Sequence, residues 1–152
     1  MSEVSSHLDV LLRKFNEDAL FRRLAIGSPT FSQMVAEAIM KDRTGQDYDL
    51  AAHNAASIDL VAPDGKHVQV KTVGTLDSFA GIKKGRDVAH IVMVIATFGD
   101  GARFFLLPME RFKELAPAYD YSWEISGRHI LTGVLDEFEI EVPRVDDGKY
   151  LV

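Results

Sequence analysis

The stretch SIDLVAPDGKHVQVKT, residues 57–72, has the pattern of two short strands joined by a tight turn. The segment Ala62-Pro63-Asp64-Gly65-Lys66 fits a type I turn, with proline at the first central position and glycine at the left-handed position that follows. Such a loop sets Ala62 opposite Lys66. The turn therefore fixes the register of a predicted β-hairpin.

The polar and apolar side chains of this hairpin separate onto its two faces. Counting back from the turn puts Asp59 opposite Gln69. Because opposed residues and alternate residues share a face, Lys71 emerges with them. The apolar set on the other face is Ile58, Leu60, Val68 and Val70. A shift of one residue would mix the two sets, so the pattern specifies this register.

The polar triplet has the chemistry of a magnesium site. The carboxylate of Asp59 and the amide oxygen of Gln69 are hard ligands suited to Mg²⁺, and the backbone carbonyl of Val70 could add another. Lys71 can hold or help deprotonate a water and offset charge on a phosphate in the transition state. The alternative is an exposed ion pair between Asp59 and Lys71, worth less than about 1 kcal/mol.

Composition narrows the class of protein. The chain has 152 residues, enough for a single domain with a real core. It has no apolar run long enough to cross a bilayer and no signal-peptide pattern at its N-terminus, so we expect a cytoplasmic protein without a membrane segment. The absence of cysteine excludes disulfides, thiolate catalysis and cysteine-based zinc sites.

Charge is unevenly distributed along the chain. The formal net charge of −6 opposes non-specific attraction to nucleic acid. Residues 66–86 form a basic neighbourhood in which Asp77 is the only acid. Its positive side chains are Lys66, Lys71, Lys83, Lys84 and Arg86. The neighbourhood is either a solvated loop or a surface for phosphates.

The rest of the chain predicts helices packed on a mixed sheet. Apolar spacing predicts helices over 6–25, 31–43 and Pro108–Ala116, and Glu37 lies at the flank of the second apolar stripe. Predicted strands are Tyr48–Ala52, Ser57–Ala62, His67–Val73, Ala89–Thr97 and Ala102–Leu107, with two or three more between Tyr121 and Val142. Phe104 and Phe105 cannot both face one core, so we expect one of them to be exposed. The layout is α+β or α/β.

The sequence resembles the PD-(D/E)XK nuclease superfamily, whose restriction-endonuclease-like fold also occurs in Holliday-junction resolvases and some homing endonucleases. The matching residues are Glu37 on a helix, Asp59 in SIDLVAPDGK, and Gln69 and Lys71 in VQVKT. Residue 58 is isoleucine where the family's name has proline, and Gln69 is neutral where many members have a second acid.

The resemblance covers about residues 31–116, the nuclease-like core of an expected single domain over 1–152. The first helix (6–25) and the C-terminal strands (121–142) lie outside that core. By resemblance the fold is a three-layer one, with a mixed central β-sheet flanked by helices.

The resemblance also implies a Mg²⁺- or Mn²⁺-dependent endonuclease that hydrolyses DNA phosphodiesters. Asp59 would be the central metal ligand, with Gln69 and the carbonyl of Val70 beside it. Glu37 would hold a metal or a metal-bound water. Lys71 would position the attacking water and stabilise the pentavalent phosphate. Phosphate contacts would come from Lys66, Lys83, Lys84 and Arg86.

Two further hypotheses follow from these features. The neutral Gln69 and the acidic net charge favour a nuclease fold without catalysis, which acts as a DNA-binding or protein-interaction module. Cutting two strands favours a homodimer, with the first helix at the interface.

Overall fold

The computed structural model describes residues 3–18, 20–21, 29–50, 59–99 and 101–142. The helices are α1 (Glu3–Glu17), α2 (Pro29–Thr44), α3 (Met109–Leu115) and α4 (Gly127–Leu131), with a 3-10 turn at Asp136–Phe138. The strands are β1 (Asp49–Leu50), β2 (Leu60–Val61), β3 (His67–Val73), β4 (Phe79–Lys83), β5 (Ile91–Ala96), β6 (Arg103–Pro108), β7 (Ser122–Ser126) and β8 (Glu139–Ile140). Within these ranges, no helix has the length and apolar character that crossing a membrane requires.

Six strands form a mixed central sheet in the order β1-β2-β3-β5-β6-β8. Strands β3 and β5 are parallel, and the other neighbouring pairs are antiparallel. Strands β4 and β7 pair antiparallel as a separate two-stranded ribbon. The predicted mixed sheet with flanking helices is confirmed.

Apolar cores cover both faces of the central sheet. Helices α1 and α2 pack on the first face, where Phe15 and Ile39 join Val68 of β3. Helices α3 and α4 and the ribbon pack on the second face, where Phe112 and Ile82 are buried. The molecule therefore has three layers: helices, the sheet, and a mixed layer of short helices and ribbon.

The expectation that one of Phe104 and Phe105 is exposed is wrong. Both side chains are almost fully buried, Phe104 in the core of the first face and Phe105 in the core of the second. Successive residues of a strand point to opposite faces, and here each face has its own core.

The hairpin register is the one that the turn predicts. Leu60 pairs with Val68, and the Ala62 N–H donates to the Lys66 carbonyl at 2.8 Å. Gly65 has a φ of +87°, the left-handed conformation that the turn requires. Ile58, expected on the apolar face, lies outside the described residues.

The structure differs from the predicted elements in three places. Helix α1 ends at Glu17, short of the predicted residue 25, because the Asp18 carboxylate accepts the Phe21 N–H at 3.0 Å in the manner of an N-cap. Strand β4 was not predicted, because its apolar Phe79 points outward and only Ala80 and Ile82 face the core. The C-terminal segment, predicted as strands, also holds α4 and the 3-10 turn. Ser126 and His129 form a capping box that starts α4, and Phe138 lies in the 3-10 turn rather than in a strand.

Candidate active site

Strand β3 presents Gln69 and Lys71 on the second face of the central sheet. Gln69 pairs with Val92 and Lys71 pairs with Val94, and both valines belong to the core of that face. Gln69 is 5% exposed, whereas Lys71 is half-buried. A polar pair thus interrupts the edge of an apolar core, next to strand β2.

The carboxylate of Asp59 lies at the start of β2, between α2 and β3. Its Oδ2 accepts a hydrogen bond from the backbone N–H of Val70 at 2.7 Å. Its Oδ1 accepts one from Nε2 of Gln33, on α2, also at 2.7 Å. Each oxygen is held by one donor, which leaves acceptor capacity on both. The carboxylate is therefore fixed in position and can still take a further ligand.

The environment of Lys71 shifts the pKa of its side chain. Burial lowers the pKa of Lys71, because the charged ammonium loses water, and the nearby negative charge of Asp59 opposes part of this shift. The amine of Lys71 therefore loses its proton at a lower pH than an exposed lysine does. A lowered lysine pKa beside a carboxylate is typical of functional sites, although structural pairs also produce it.

Gln69 carries a buried acceptor that the described structure leaves without a hydrogen bond. This atom, Oε1, has no partner within the described ranges. An unsatisfied buried oxygen costs about 1–3 kcal/mol. A cation or a donor placed beside it would remove this cost. The oxygen chemistry of Gln69 and Asp59 fits Mg²⁺ or Mn²⁺, so the residues present fit a divalent cation.

Glu37 lies one helical turn beyond Gln33 on α2, and it is Gln33 that bonds Asp59. Glu37 is half-buried, and burial, followed by the charges of Asp47 and Asp49, raises its pKa. No group of three or more acidic, histidine or cysteine side chains in the described part of the chain could hold a metal ion.

Gln33 is the site residue that sequence reasoning missed as a neighbour of Asp59. Its sequence context indicates only a place in the predicted helix over 31–43. One signal could have found it: Gln33 and Glu37 are four residues apart, so they lie on the same face of α2. Which of the two contacts Asp59 depends on how α2 packs on β3. A hydrogen bond of 3.3 Å from the Thr72 hydroxyl to the Ser32 hydroxyl is part of that packing.

The expected phosphate-contacting residues lie around one end of strands β3 and β5. Lys66 is in the hairpin turn, and Lys83, Lys84 and Arg86 are at the end of β4 and just beyond it. All four are exposed. The loop after β4 returns to the hairpin, because the His90 N–H donates to the His67 carbonyl at 2.9 Å.

Replacing Glu37 with glutamine is expected to raise the melting temperature at neutral pH, because it removes a charge that burial disfavours. The increase should be only roughly 1–2 °C, because solvent screens the charge of a half-exposed group. The folded-state pKa is raised, so the wild type loses stability as the pH rises through that pKa, and the variant does not. The gain should vanish at about pH 4.

Thermal melts with chelator and with Mg²⁺ check this prediction, with Asp42→Asn on the exposed part of the same helix as the control. If Glu37 is a metal ligand, Mg²⁺ will stabilise Glu37→Gln less than the wild type. A lower melting temperature of Glu37→Gln at neutral pH in chelator would contradict the prediction.

Comparisons with known proteins find a likeness among solved structures. Neither a protein-family model nor a curated protein matches the chain. A similar solved structure is that of Archaeoglobus fulgidus Hjc, a Holliday junction resolvase from an archaeal hyperthermophile. It is 11% identical, with a TM-score of 0.42, over 68% of this chain and 90% of that chain. At this score we draw nothing about function from the likeness.

Proposed function

We propose that this protein is a divalent-cation-dependent endonuclease that hydrolyses DNA phosphodiester bonds. The observation that carries the proposal is the buried Oε1 of Gln69, an acceptor without a partner in the described structure. Gln69 lies two residues before Lys71 on β3, and the Asp59 carboxylate is bonded to the backbone N–H of the residue between them, Val70. A buried oxygen without a hydrogen-bond donor, near a carboxylate and a lysine, matches a metal-assisted hydrolytic site.

Each residue has a chemical task under this proposal. Asp59, fixed by Gln33 and Val70, holds the cation together with Gln69. The cation, when bound, polarises a phosphoryl oxygen and makes a bound water more acidic. Lys71 orients the attacking water, and its lowered pKa lets the amine accept a proton from it. The ammonium form offsets negative charge on the phosphate.

The activity assay uses purified protein with plasmid, single-stranded and branched DNA, in Mg²⁺ or Mn²⁺ against chelator. Cleavage should require the cation and should be lost in Asp59→Asn. Asp64→Asn, an identical change in the exposed turn of the same hairpin, should cleave as the wild type does. Cation-independent cleavage, or equal cleavage by Asp59→Asn, contradicts the proposal.

Replacing Gln69 with leucine is expected to raise the free energy of unfolding without metal by about 1 kcal/mol, because a buried unsatisfied oxygen is removed. The same change should abolish the stabilisation that Mg²⁺ gives the wild type. Thermal melts with and without Mg²⁺ measure both effects, and Gln46→Leu in an exposed turn is the control. Unchanged Mg²⁺ stabilisation in Gln69→Leu would exclude Gln69 as a ligand.

A second function is favoured by the bonds that Asp59 already makes. Gln33 and Val70 occupy one acceptor position on each carboxylate oxygen, and Gln69 adds no charge. A nuclease fold that binds DNA or another protein without catalysis would have such a site. Calorimetry separates the two functions: millimolar or tighter Mg²⁺ binding that is lost in Asp59→Ala supports the endonuclease, and no binding supports the inactive module.

A further inference from the structure

The ribbon has one buried side and one open side. Ala80 and Ile82 of β4 and Ile125 of β7 point into the core of the second face. Phe79 points away from it and is 54% exposed. Its ring lies over Gly81, where an added Cβ would come within 3.1 Å of a ring carbon. Because Gly81 has no side chain, the Phe79 ring can lie against its backbone while about half of the ring remains exposed to solvent.

Unpaired positive charge lies at the far end of the same strand. Lys83, Lys84 and Arg86 are exposed and form no salt bridge with any described residue. Several of the other described cations pair with carboxylates: Lys41, Arg103, Arg111, Lys113 and Arg128. Lys84 instead places its Nζ 5.5 Å from the centroid of the Trp123 ring. The ribbon end thus keeps cations that no described carboxylate neutralises, in a chain whose net charge is −6.

A second aromatic residue, Tyr121, lies at this end of the ribbon. It continues the ladder one pair beyond Lys83 and Ser122, so it shares a side with Lys84 and not with Phe79. The Lys84 N–H donates to the Tyr121 carbonyl at 2.9 Å, and the Tyr121 side chain is 83% exposed. Nearby acids are Asp87, Asp120 and Glu124. Asp87 pairs with Lys113, and Glu124 already accepts a hydrogen bond of 2.6 Å from the Ser122 hydroxyl. We call Phe79, Lys83, Lys84, Arg86 and Tyr121, which extend from the open side around the end of the ribbon, the ribbon surface.

The ribbon surface belongs to the layer that covers the candidate active site's side of the sheet. The inward side of the ribbon shares a core with Val92 and Val94. These two valines are the register partners of Gln69 and Lys71. A strand bound along the ribbon would therefore lie on the side of the sheet that presents Gln69 and Lys71.

From these contacts we infer that the ribbon surface binds an unpaired stretch of a nucleic acid strand. Phe79 and Tyr121 stack on bases, and Lys83, Lys84 and Arg86 contact the phosphates. In a duplex the base faces are already stacked on one another, which would leave two exposed aromatic rings without partners. The inference rests on the proposed function and narrows its substrate to DNA with a single-stranded segment.

The test is a fluorescence anisotropy titration in chelator, so that no cleavage occurs. The probes are an oligo-deoxythymidylate of roughly 16 nucleotides and a blunt duplex of the same length. The wild type should bind the single strand more tightly than the duplex. Phe79→Ala and Tyr121→Ala should each weaken single-strand binding about tenfold at every salt concentration. Lys83→Ala should lower the slope of log affinity against log salt by about 0.7.

The controls separate stacking from folding and charge. Phe79→Tyr keeps a ring and should bind as the wild type does, and circular dichroism checks that Phe79→Ala is folded. Arg43→Ala removes an exposed, unpaired cation from the last turn of α2 and should leave the affinity and the salt slope unchanged. If Phe79→Ala does not fold, Tyr121→Ala alone decides the question.

Three results would overturn the inference: wild-type affinity in both alanine variants, equal binding of single strand and duplex, or concentration-dependent self-association that Phe79→Ala abolishes. The last would show that a second copy of the chain covers this surface. Strand binding is measured in chelator and cleavage in Mg²⁺, so a failure of cleavage and a failure of strand binding are told apart.

Discussion

Lys71→Met is expected to lower Mg²⁺-dependent DNA cleavage at least about 100-fold while the protein stays folded. Methionine keeps an unbranched stem of similar length and removes the amine that orients water and offsets phosphate charge. Removing a partly buried charge should also make the variant more stable than the wild type at neutral pH.

The pH dependence of that stability has a definite sign. The folded-state pKa of Lys71 is lowered, so the unfolded chain holds more protons between that pKa and the ordinary lysine value. The free energy of unfolding of the wild type should therefore rise with pH across this window, relative to Lys71→Met. Urea denaturation at several pH values measures the difference.

Lys66→Met is the matched control, since Lys66 is exposed in the turn of the same hairpin. Because Lys66 is expected only to contact phosphate, this variant should lose far less cleavage activity than Lys71→Met and should show no such stability gain. Equal traces of cleavage by the wild type and Lys71→Met would identify a contaminating nuclease, and the endonuclease proposal would then be wrong.

Gly127→Ala is expected to lower the free energy of unfolding by about 3 kcal/mol or more. A Cβ at this position would overlap the Thr75 carbonyl oxygen and come within 2.7 Å of the Leu76 Cα. Both are backbone atoms, so no side-chain rotation can relieve the overlap.

The overlap would push the start of α4 away from the segment between β3 and β4, to which it is hydrogen-bonded. The Gly127 N–H donates to the Ser78 carbonyl at 3.0 Å, and the Arg128 N–H donates to the Leu76 carbonyl at 3.1 Å. These bonds hold the start of α4 against the chain between β3 and β4. Guanidinium denaturation measures the loss. Gly101→Ala, whose added Cβ would have its nearest neighbour at 3.8 Å, should change stability by less than about 0.5 kcal/mol. A similar loss in both variants would contradict the steric explanation.

Local chemistry explains what could be predicted from the sequence. The Pro-Asp-Gly turn determined the hairpin register, and β3 has the predicted bounds, His67–Val73. Gln69 and Lys71 share a face because they are alternate residues of this strand. Nothing in these predictions required a contact between residues far apart in the chain.

Three of the failures have a shared physical cause, because each depends on distant contacts. Strand β4 pairs with β7, about forty residues later. Phe79 of β4 is apolar but points outward, so the sequence of this strand does not alternate regularly between apolar and polar residues. The burial of both Phe104 and Phe105 requires cores on two sides of the sheet. The bond from Gln33 to Asp59 depends on how α2 packs across β3.

Strand β4 of the ribbon lies between β3 and β5 in sequence, yet only the inward side chains of the ribbon contribute to the core. Its outward positions can therefore be exchanged by mutation with little cost to folding, while Gln69 and Lys71 remain unchanged on β3. Selection could alter what the protein binds independently of the chemistry it performs. The same independence makes the ribbon a practical place to graft a new binding preference onto this sheet.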